Sequence, residues 1–177
     1  MDIPRHVDLH AIKRTGLVHW EFLDEGLPCA LHVNGRSETD FRRWGAFVRA
    51  RPEITHLAYE FTTGSSRAAR RPIHVDWLIG VARAAGRPLD LIVCGGLEVL
   101  PKLTVAFNRV TVLETWSFMK TMKRQRAVQR TDGSLRWRRS PTPIGAPLDD
   151  LFGANRRAIN RWIGSYDPAT ALPTAAE

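Results

Sequence analysis

The densest group of chemically significant residues is a basic stretch between positions 120 and 139. Asp132 is its only acidic residue, and Trp137 lies among the arginines. Lysine and arginine neutralise phosphates and release counterions, and an exposed tryptophan can stack on a base. The stretch therefore predicts contact with DNA, RNA or another polyanion. The residues expected to make this contact are Lys120, Lys123, Arg124, Arg126, Arg130, Arg136, Trp137, Arg138 and Arg139.

The basic stretch has an alternative interpretation, as a solvated face whose Trp137 packs inward. Arg156, Arg157 and Arg161 lie opposite the apolar side of the last predicted helix, where they would extend the same surface. The chain as a whole carries a formal charge of +8 and has an isoelectric point near 10.5, which favours acidic partners. Because arginine-rich chains are also typical of GC-rich genomes, the net charge says less than the cluster does.

A second group of candidates follows the predicted strands at their carboxyl ends, where parallel sheets and barrels bind ligands. Hydroxyl and backbone N–H groups at such a turn, ahead of a helix N-terminus, can hold a phosphate. Neither a Walker lysine nor a GxGxxG spacing is present, so no nucleotide is specified. The expected ligand- or phosphate-binding residues are Asn34, Thr62, Thr63, Gly64, Ser65, Ser66, Arg67, Gly95 and Gly96. The two last glycines are equally expected in a tight corner.

Glu60 and Glu114 end the second and fourth predicted strands, and Cys94 ends the third. Two carboxylates at one edge of a sheet can act as general acid and base, or hold a divalent ion. A thiol there is a candidate nucleophile. These three residues are the candidate catalytic groups. The alternatives are that Glu114 pairs with an arginine and that Cys94 is a small core residue, so the sequence leaves open whether the chain is an enzyme.

His6, Asp8 and His10 would share one face of a strand, an arrangement that a metal ion could use. The segment Val7-Asp8-Leu9-His10 resembles the first strand of metal-dependent TIM-barrel hydrolases. Where that class has its second histidine, this chain has Ile12. We therefore expect a polar N-terminal segment without a metal site, and the sequence identifies no cofactor.

Alternating strands and helices must position these residues. Apolar runs predict four strands, each followed by a helical pattern, at Ala30–Asn34, Ile54–Phe61, Leu89–Cys94 and Val110–Glu114. Such spacing is typical of βα units with a mostly parallel sheet. The predicted fold class is α/β, either as an open doubly wound sheet or as a partial TIM-like half-barrel. A complete barrel typically needs roughly 200 residues or more.

We expect one α/β domain over residues 1–164, followed by a flexible tail at 165–177. The parts expected within it are an irregular segment at 1–29 with a strand at 17–23, a βα core at 30–116, a basic helix-hairpin at 117–140 and an amphipathic helix at 147–163. The basic segment is expected to contain a helix at 117–129 and a hairpin turn at 131–134.

The composition is that of a globular protein, with 44% hydrophobic and 25% charged residues. No apolar run reaches the ~18 residues of a membrane span, and the first residues lack a secretory signal, so we expect a cytoplasmic protein without membrane contact. The favoured partner is DNA or RNA, which the chain would bind as an accessory subunit of a nucleic-acid-processing complex. The alternatives are an enzyme for a phosphorylated or nucleotide-like small molecule, and an interaction module that forms a homo-oligomer.

Overall fold

The computed structural model describes residues 5–62 and 70–166. They form two compact units, one within residues 1–112 and the other within residues 113–177. The elements of the first are α1 (Arg5–Asp24), β1 (Leu31–His32), α2 (Glu38–Arg49), β2 (His56–Glu60), α3 (Arg71–Ala85), β3 (Asp90–Cys94), α4 (Leu100–Ala106) and β4 (Arg109–Leu113), whose last residue begins the second unit. The elements of the second are α5 (Trp116–Met122), β5 (Gln125–Gln129), β6 (Leu135–Arg139) and α6 (Asp149–Tyr166).

The four predicted strands of the first unit are present, and they form a parallel sheet in the order β1-β2-β3-β4. This confirms the α/β prediction. The strand order follows the chain without reversal, whereas a doubly wound sheet reverses its order at a switch point. Helix α2 packs on α3, and α3 packs on α4, as expected when consecutive right-handed crossovers lie on one face. The expectation of a doubly wound sheet is therefore wrong for these four strands.

The N-terminal segment is a single helix, α1, which overturns the expectations of irregular structure at 1–29 and of a strand at 17–23. The apolar side chains of α1 are not confined to one side, and Val18, Trp20 and Phe22 are 42%, 55% and 46% exposed. The periodicity that reveals an amphipathic helix is therefore absent. His6 and His10 lie one helical turn apart, so the strand-face argument for a metal no longer applies. The side chain of Asp8 lies outside the described residues.

The basic segment departs from its predicted helix. Helix α5 ends at Met122, Arg124 adopts a left-handed conformation (φ 48°), and the chain then enters β5. The helix expected over 117–129 is therefore wrong beyond residue 122. The turn expected at 131–134 is present, and it joins β5 to β6 as an antiparallel hairpin. Gly133 has a φ of 80°, and its N–H donates to the carbonyl of Arg130 (3.0 Å), as in a type I turn followed by a glycine bulge.

Among the described residues, no helix combines the length and the apolar character needed to cross a bilayer. The core of the first unit instead lies between the sheet and its helices. There Tyr59 of β2 and His74 of α3 are buried, and the tyrosine Oη lies 2.6 Å from the His74 Nδ1. Burial lowers the pKa of His74, and the neighbouring charge of Arg70 lowers it further. The folded structure therefore favours the neutral form of this imidazole.

This histidine should make stability depend on pH. The unfolded chain takes up a proton near the ordinary histidine pKa of about 6.5, whereas the folded chain resists it. The contribution is therefore complete above that pH and is lost as the pH falls toward the lower folded-state pKa. We expect the free energy of unfolding, measured with urea at pH 7.5 and 5, to fall less in His74→Gln than in the wild type. The exposed His32→Gln serves as the control, and an equal fall in all three proteins would contradict the prediction.

Candidate nucleic-acid interface

A single buried carboxamide connects three elements of the second unit. Asn155 of α6 is fully buried. Its Oδ1 accepts a hydrogen bond from the Ala127 N–H (2.8 Å), and its Nδ2 donates to the carbonyl of Gln125 (2.8 Å) and to Thr121 Oγ1 (2.9 Å). The side chain thus bonds the free edge of β5 as a neighbouring strand would. Asn155 interrupts the buried stripe of Leu151, Ile159 and Ile163, and sequence analysis did not identify it.

This anchoring decides which side chains of the hairpin face outward. Gln125 and Ala127 are half-buried, as are Leu135 and Trp137 on the other strand. Side chains alternate along a strand, so the residues between them belong to the opposite face. That face carries Arg126, Val128, Arg136 and Arg138, all of them exposed. We call these four residues the outer hairpin face.

Two arginines of the outer hairpin face lie directly across from each other. Arg126 pairs with Arg138 in the strand register, and Val128 pairs with Arg136. Like charges in directly opposite positions destabilise a sheet. Among the described residues, none of the three arginine side chains forms an ion pair or hydrogen bond. Pairings that break a local rule in this way are expected at functional or strained sites.

The charge of the chain is concentrated in this unit. Residues 113–177 contain eleven of the 26 lysines and arginines but six of the 18 acidic residues. Asp132, in the hairpin turn, accepts hydrogen bonds from the hydroxyl and the N–H of Ser134, which lower the pKa of its carboxyl. Asp149 and Asp150 occupy the first turn of α6, where a negative charge complements the helix dipole. Asp132, Asp149 and Asp150 thus lie where the local backbone stabilises a negative charge.

The other residues predicted to contact nucleic acid are spread over several parts of the second unit. Trp137 lies on the inner face of the hairpin, with the Lys120 Nζ 5.4 Å from its ring centroid. Arg139 shares that face, Arg130 lies next to the turn, and Lys123 is exposed just after α5. Arg124 donates from Nε to Thr142 Oγ1 (2.9 Å). The structure therefore brings together Arg126, Arg136 and Arg138, and it separates them from Trp137.

Helix α5 buries its hydroxyl groups and exposes its apolar side chains. Ser117 and Thr121 are buried, whereas Phe118 and Met122 are 56% and 55% exposed. The Thr121 Oγ1 donates to the carbonyl of Ser117 (2.6 Å) and accepts from Asn155. The Trp116 ring of α5 also stacks on Trp162 of α6, with ring centroids 5.7 Å apart, so hydrogen bonds and aromatic stacking together hold this helix in its unit.

Glu114, a predicted catalytic residue, caps the start of α5. Its Oε1 accepts from the Ser117 N–H and its Oε2 from the Ser117 hydroxyl, both at 2.7 Å. These bonds satisfy an N-terminal donor of the helix, as an N-cap side chain does. Glu114 lies in the second unit and Glu60 in the first, so the structure provides no geometry for the proposed acid–base pair.

The remaining crevice residues lie in the first unit. Glu60 is the register partner of Cys94, and it accepts a hydrogen bond from the Thr62 hydroxyl. Gly95 and Gly96 have φ values of 77° and 69°. A Cβ on Gly95 would lie 2.8 Å from Thr62 Cγ2, and one on Gly96 would lie 2.8 Å from the Phe61 ring. Packing of the two turns accounts for both glycines. The predicted residues Thr63, Gly64, Ser65, Ser66 and Arg67 lie outside the described residues.

The turn after β1 already contains an anion of its own. The buried Asp40 accepts on Oδ2 from the N–H groups of Arg36 and Ser37, both at 3.1 Å, which includes the predicted capping box. Its carboxylate occupies the helix N-terminus that a phosphate would use. Asn34 contributes its carbonyl, which accepts from the Trp44 Nε1 (2.6 Å). This turn is therefore built for packing rather than for anion binding.

A hydrogen-bonded chain that sequence analysis missed lies at the amino ends of the strands. The Thr55 Oγ1 is 2.8 Å from His56 Nδ1, and His56 Nε2 is 3.4 Å from Asp90 Oδ2. The order hydroxyl, imidazole, carboxylate resembles a nucleophile and its base. Asp90 also binds Asn108 (2.8 Å) and Arg109 (3.3 Å), and the amino end of a parallel sheet serves stability. The chain thus connects β2, β3 and β4.

No known protein family, curated protein or solved structure matches the chain significantly. The functional argument therefore rests on the residues and on their placement.

Replacing Asn155 should release the edge of β5. In Asn155→Ala, the Ala127 N–H and the Gln125 carbonyl lose their partner, which should destabilise the second unit by about 2–3 kcal/mol. Hydrogen exchange followed by mass spectrometry should show faster exchange in the peptide that contains Ala127. Asn160→Ala is the matched control, because Asn160 lies on the same helix and its side chain makes no hydrogen bond to the described residues. Equal exchange in the two variants would show that Asn155 is not the anchor.

Proposed function

We propose that the second unit binds nucleic acid through the outer hairpin face. The observation that carries the proposal is the cross-strand pair of Arg126 and Arg138, with Arg136 on the same face and no carboxylate partner among the described residues. Opposite Cβ atoms in a hairpin lie about 5 Å apart, so two guanidinium groups can approach a single phosphate or neighbouring phosphates. A polyanion would convert an unfavourable charge pair into two ionic contacts.

This interaction is expected to read the sugar–phosphate backbone rather than the base sequence. Arginine to phosphate contacts are independent of sequence, and the aromatic Trp137 lies on the opposite face of the hairpin. An accessory role in a nucleic-acid-processing complex is compatible with such binding. The comparison of affinities below decides whether the chain prefers DNA or RNA, and whether it prefers single strands or duplexes.

For the first unit we propose the half-barrel arrangement, completed by a second copy of the chain. Its support is the consecutive parallel order of the four strands, which is the order of successive strands in a (β/α)8 barrel. The enzyme alternative has weaker support, since Glu114 caps a helix and the two glycines pack on Phe61 and Thr62.

Removing the three arginines should weaken nucleic-acid binding and its salt dependence. We expect Arg126→Gln/Arg136→Gln/Arg138→Gln to bind labelled DNA or RNA at least about tenfold more weakly, with a slope of log affinity against log salt that is smaller by about 2–3. Fluorescence anisotropy with single-stranded DNA, duplex DNA and RNA, at about 50 and about 200 mM salt, measures both quantities.

The matched control removes the same charge elsewhere. Arg49→Gln/Arg83→Gln/Lys102→Gln replaces three exposed cations of the first unit, for which the described residues supply no ion pair. This control should bind like the wild type. If both triple variants lose affinity equally, binding depends on net charge alone, and the outer hairpin face is not the site.

The same arginines should lower the stability of the free chain. Arg138→Gln relieves the repulsion with Arg126, so we expect its free energy of unfolding at low salt to rise by about 0.2–1 kcal/mol. Arg136→Gln, opposite Val128, should gain less. Urea denaturation at low salt and at about 1 M salt, where screening removes the effect, checks this. A loss of stability in Arg138→Gln would mean that the two charges do not oppose each other.

A further inference from the structure

The first unit contains a pocket that none of the predicted sites uses. It lies between α1 and α2 and has a volume of about 500 Å³. Pockets of about 300–1,000 Å³ that are mostly apolar, with a few polar groups, are the usual size for small ligands. Its apolar walls include Leu17 and Trp20, which are 52% and 55% exposed. The rings of Trp44 and Phe47 form the side contributed by α2.

A glycine in the middle of a helix contributes to this space. Gly16 lines the pocket near the centre of α1, where glycine is a poor helix former. A Cβ at this position would lie 3.4 Å from the Phe47 ring, which is an ordinary close contact that an alanine could make. Packing alone therefore does not require glycine here, and any side chain longer than alanine would extend toward the pocket.

The charges at the pocket favour an anion. Lys13 and Arg51 both line it, and neither forms an ion pair with a described residue. The Arg51 guanidinium lies 3.8 Å from the Phe47 ring centroid, so it links the aromatic wall to the charged rim. The charge of Arg43 is compensated by an ion pair with Asp40, with 3.5 Å between Arg43 Nη1 and Asp40 Oδ1. Glu53 is the one acidic residue in the lining, which leaves a positive balance.

We propose that this pocket binds a small aromatic carboxylate. The ring of the ligand would lie among Trp20, Trp44 and Phe47, where aromatic groups prefer offset and edge-to-face contacts. Its carboxylate would meet Lys13 and Arg51 at the rim. This site lies in the first unit and is independent of the proposed nucleic-acid interface.

The test uses two probes of nearly the same shape, the anionic 1-naphthoate and the neutral 1-naphthamide. Isothermal titration of the full chain should show 1-naphthoate binding with one site, and binding of 1-naphthamide at least about tenfold weaker, since the salt-bridge contribution is lost. Lys13→Gln should weaken 1-naphthoate binding at least fivefold. Equal affinity for the two probes, or no 1-naphthoate binding at millimolar concentration, would overturn the proposal.

Two further variants locate the site. Gly16→Leu should fill the pocket and abolish binding. Arg14→Gln removes the same charge as Lys13→Gln, but Arg14 lines a different pocket, of about 450 Å³, between α1 and β1. Binding should survive in Arg14→Gln. If Arg14→Gln weakens binding and Lys13→Gln does not, the probe occupies the other pocket and the assignment is wrong. The comparison of Lys13→Gln with Arg14→Gln tests the assignment even if Gly16→Leu fails to fold, because both residues are exposed.

Discussion

The second unit depends on the hydrogen bonds of Asn155. A two-stranded hairpin has little stability of its own, and this carboxamide supplies the groups that a third strand would have offered to β5. Because side chains alternate strictly along a strand, fixing one edge also fixes which residues face outward. The exposure of Arg126 and Arg138 is thus a consequence of a buried amide on a helix. The same amide binds Thr121, so the short helix α5 takes its position from the same residue.

A buried polar group has the corresponding role in the first unit. Asp40 accepts hydrogen bonds from the backbone of the turn after β1 and so fixes the start of α2. Gly35 is needed beside it, because a Cβ there would lie 2.6 Å from the Asp40 Cβ. A carboxylate placed at a helix N-terminus uses the field that would otherwise attract a phosphate. The two units therefore differ in electrostatics. Several cations of the first unit form ion pairs within it, whereas no lysine or arginine of the second unit forms one with a described residue.

The parts of the fold that could be predicted from the sequence are those marked by a pattern of neighbouring residues. Apolar runs such as Leu89–Cys94 revealed the strands, and Ser37 with Asp40 revealed the start of α2. Helix α1 was missed because apolar residues such as Val18 and Trp20 occur on several of its sides. The end of α5 depends on the positive φ of Arg124, which a non-glycine residue rarely adopts. The arginine cluster is visible in the sequence as a run of basic residues, but its division between two faces depends on the strand register.

The second edge of the hairpin is β6, and its outward-facing backbone groups affect how the protein behaves in solution. The hydrogen bonds of Arg124 with Ser140 and of Arg130 with Ser134 fix the ladder so that Trp137 turns its N–H and carbonyl away from β5, where no described residue pairs with them. Two molecules that joined along β6 would bring Arg136 and Arg138 of each against those of the other. Charges on an edge strand are a common protection against such self-pairing. This protection is conditional, because concentrated salt or an excess of polyanion would screen it, and the colloidal stability of the chain would then be lowest in the media that neutralise its arginines.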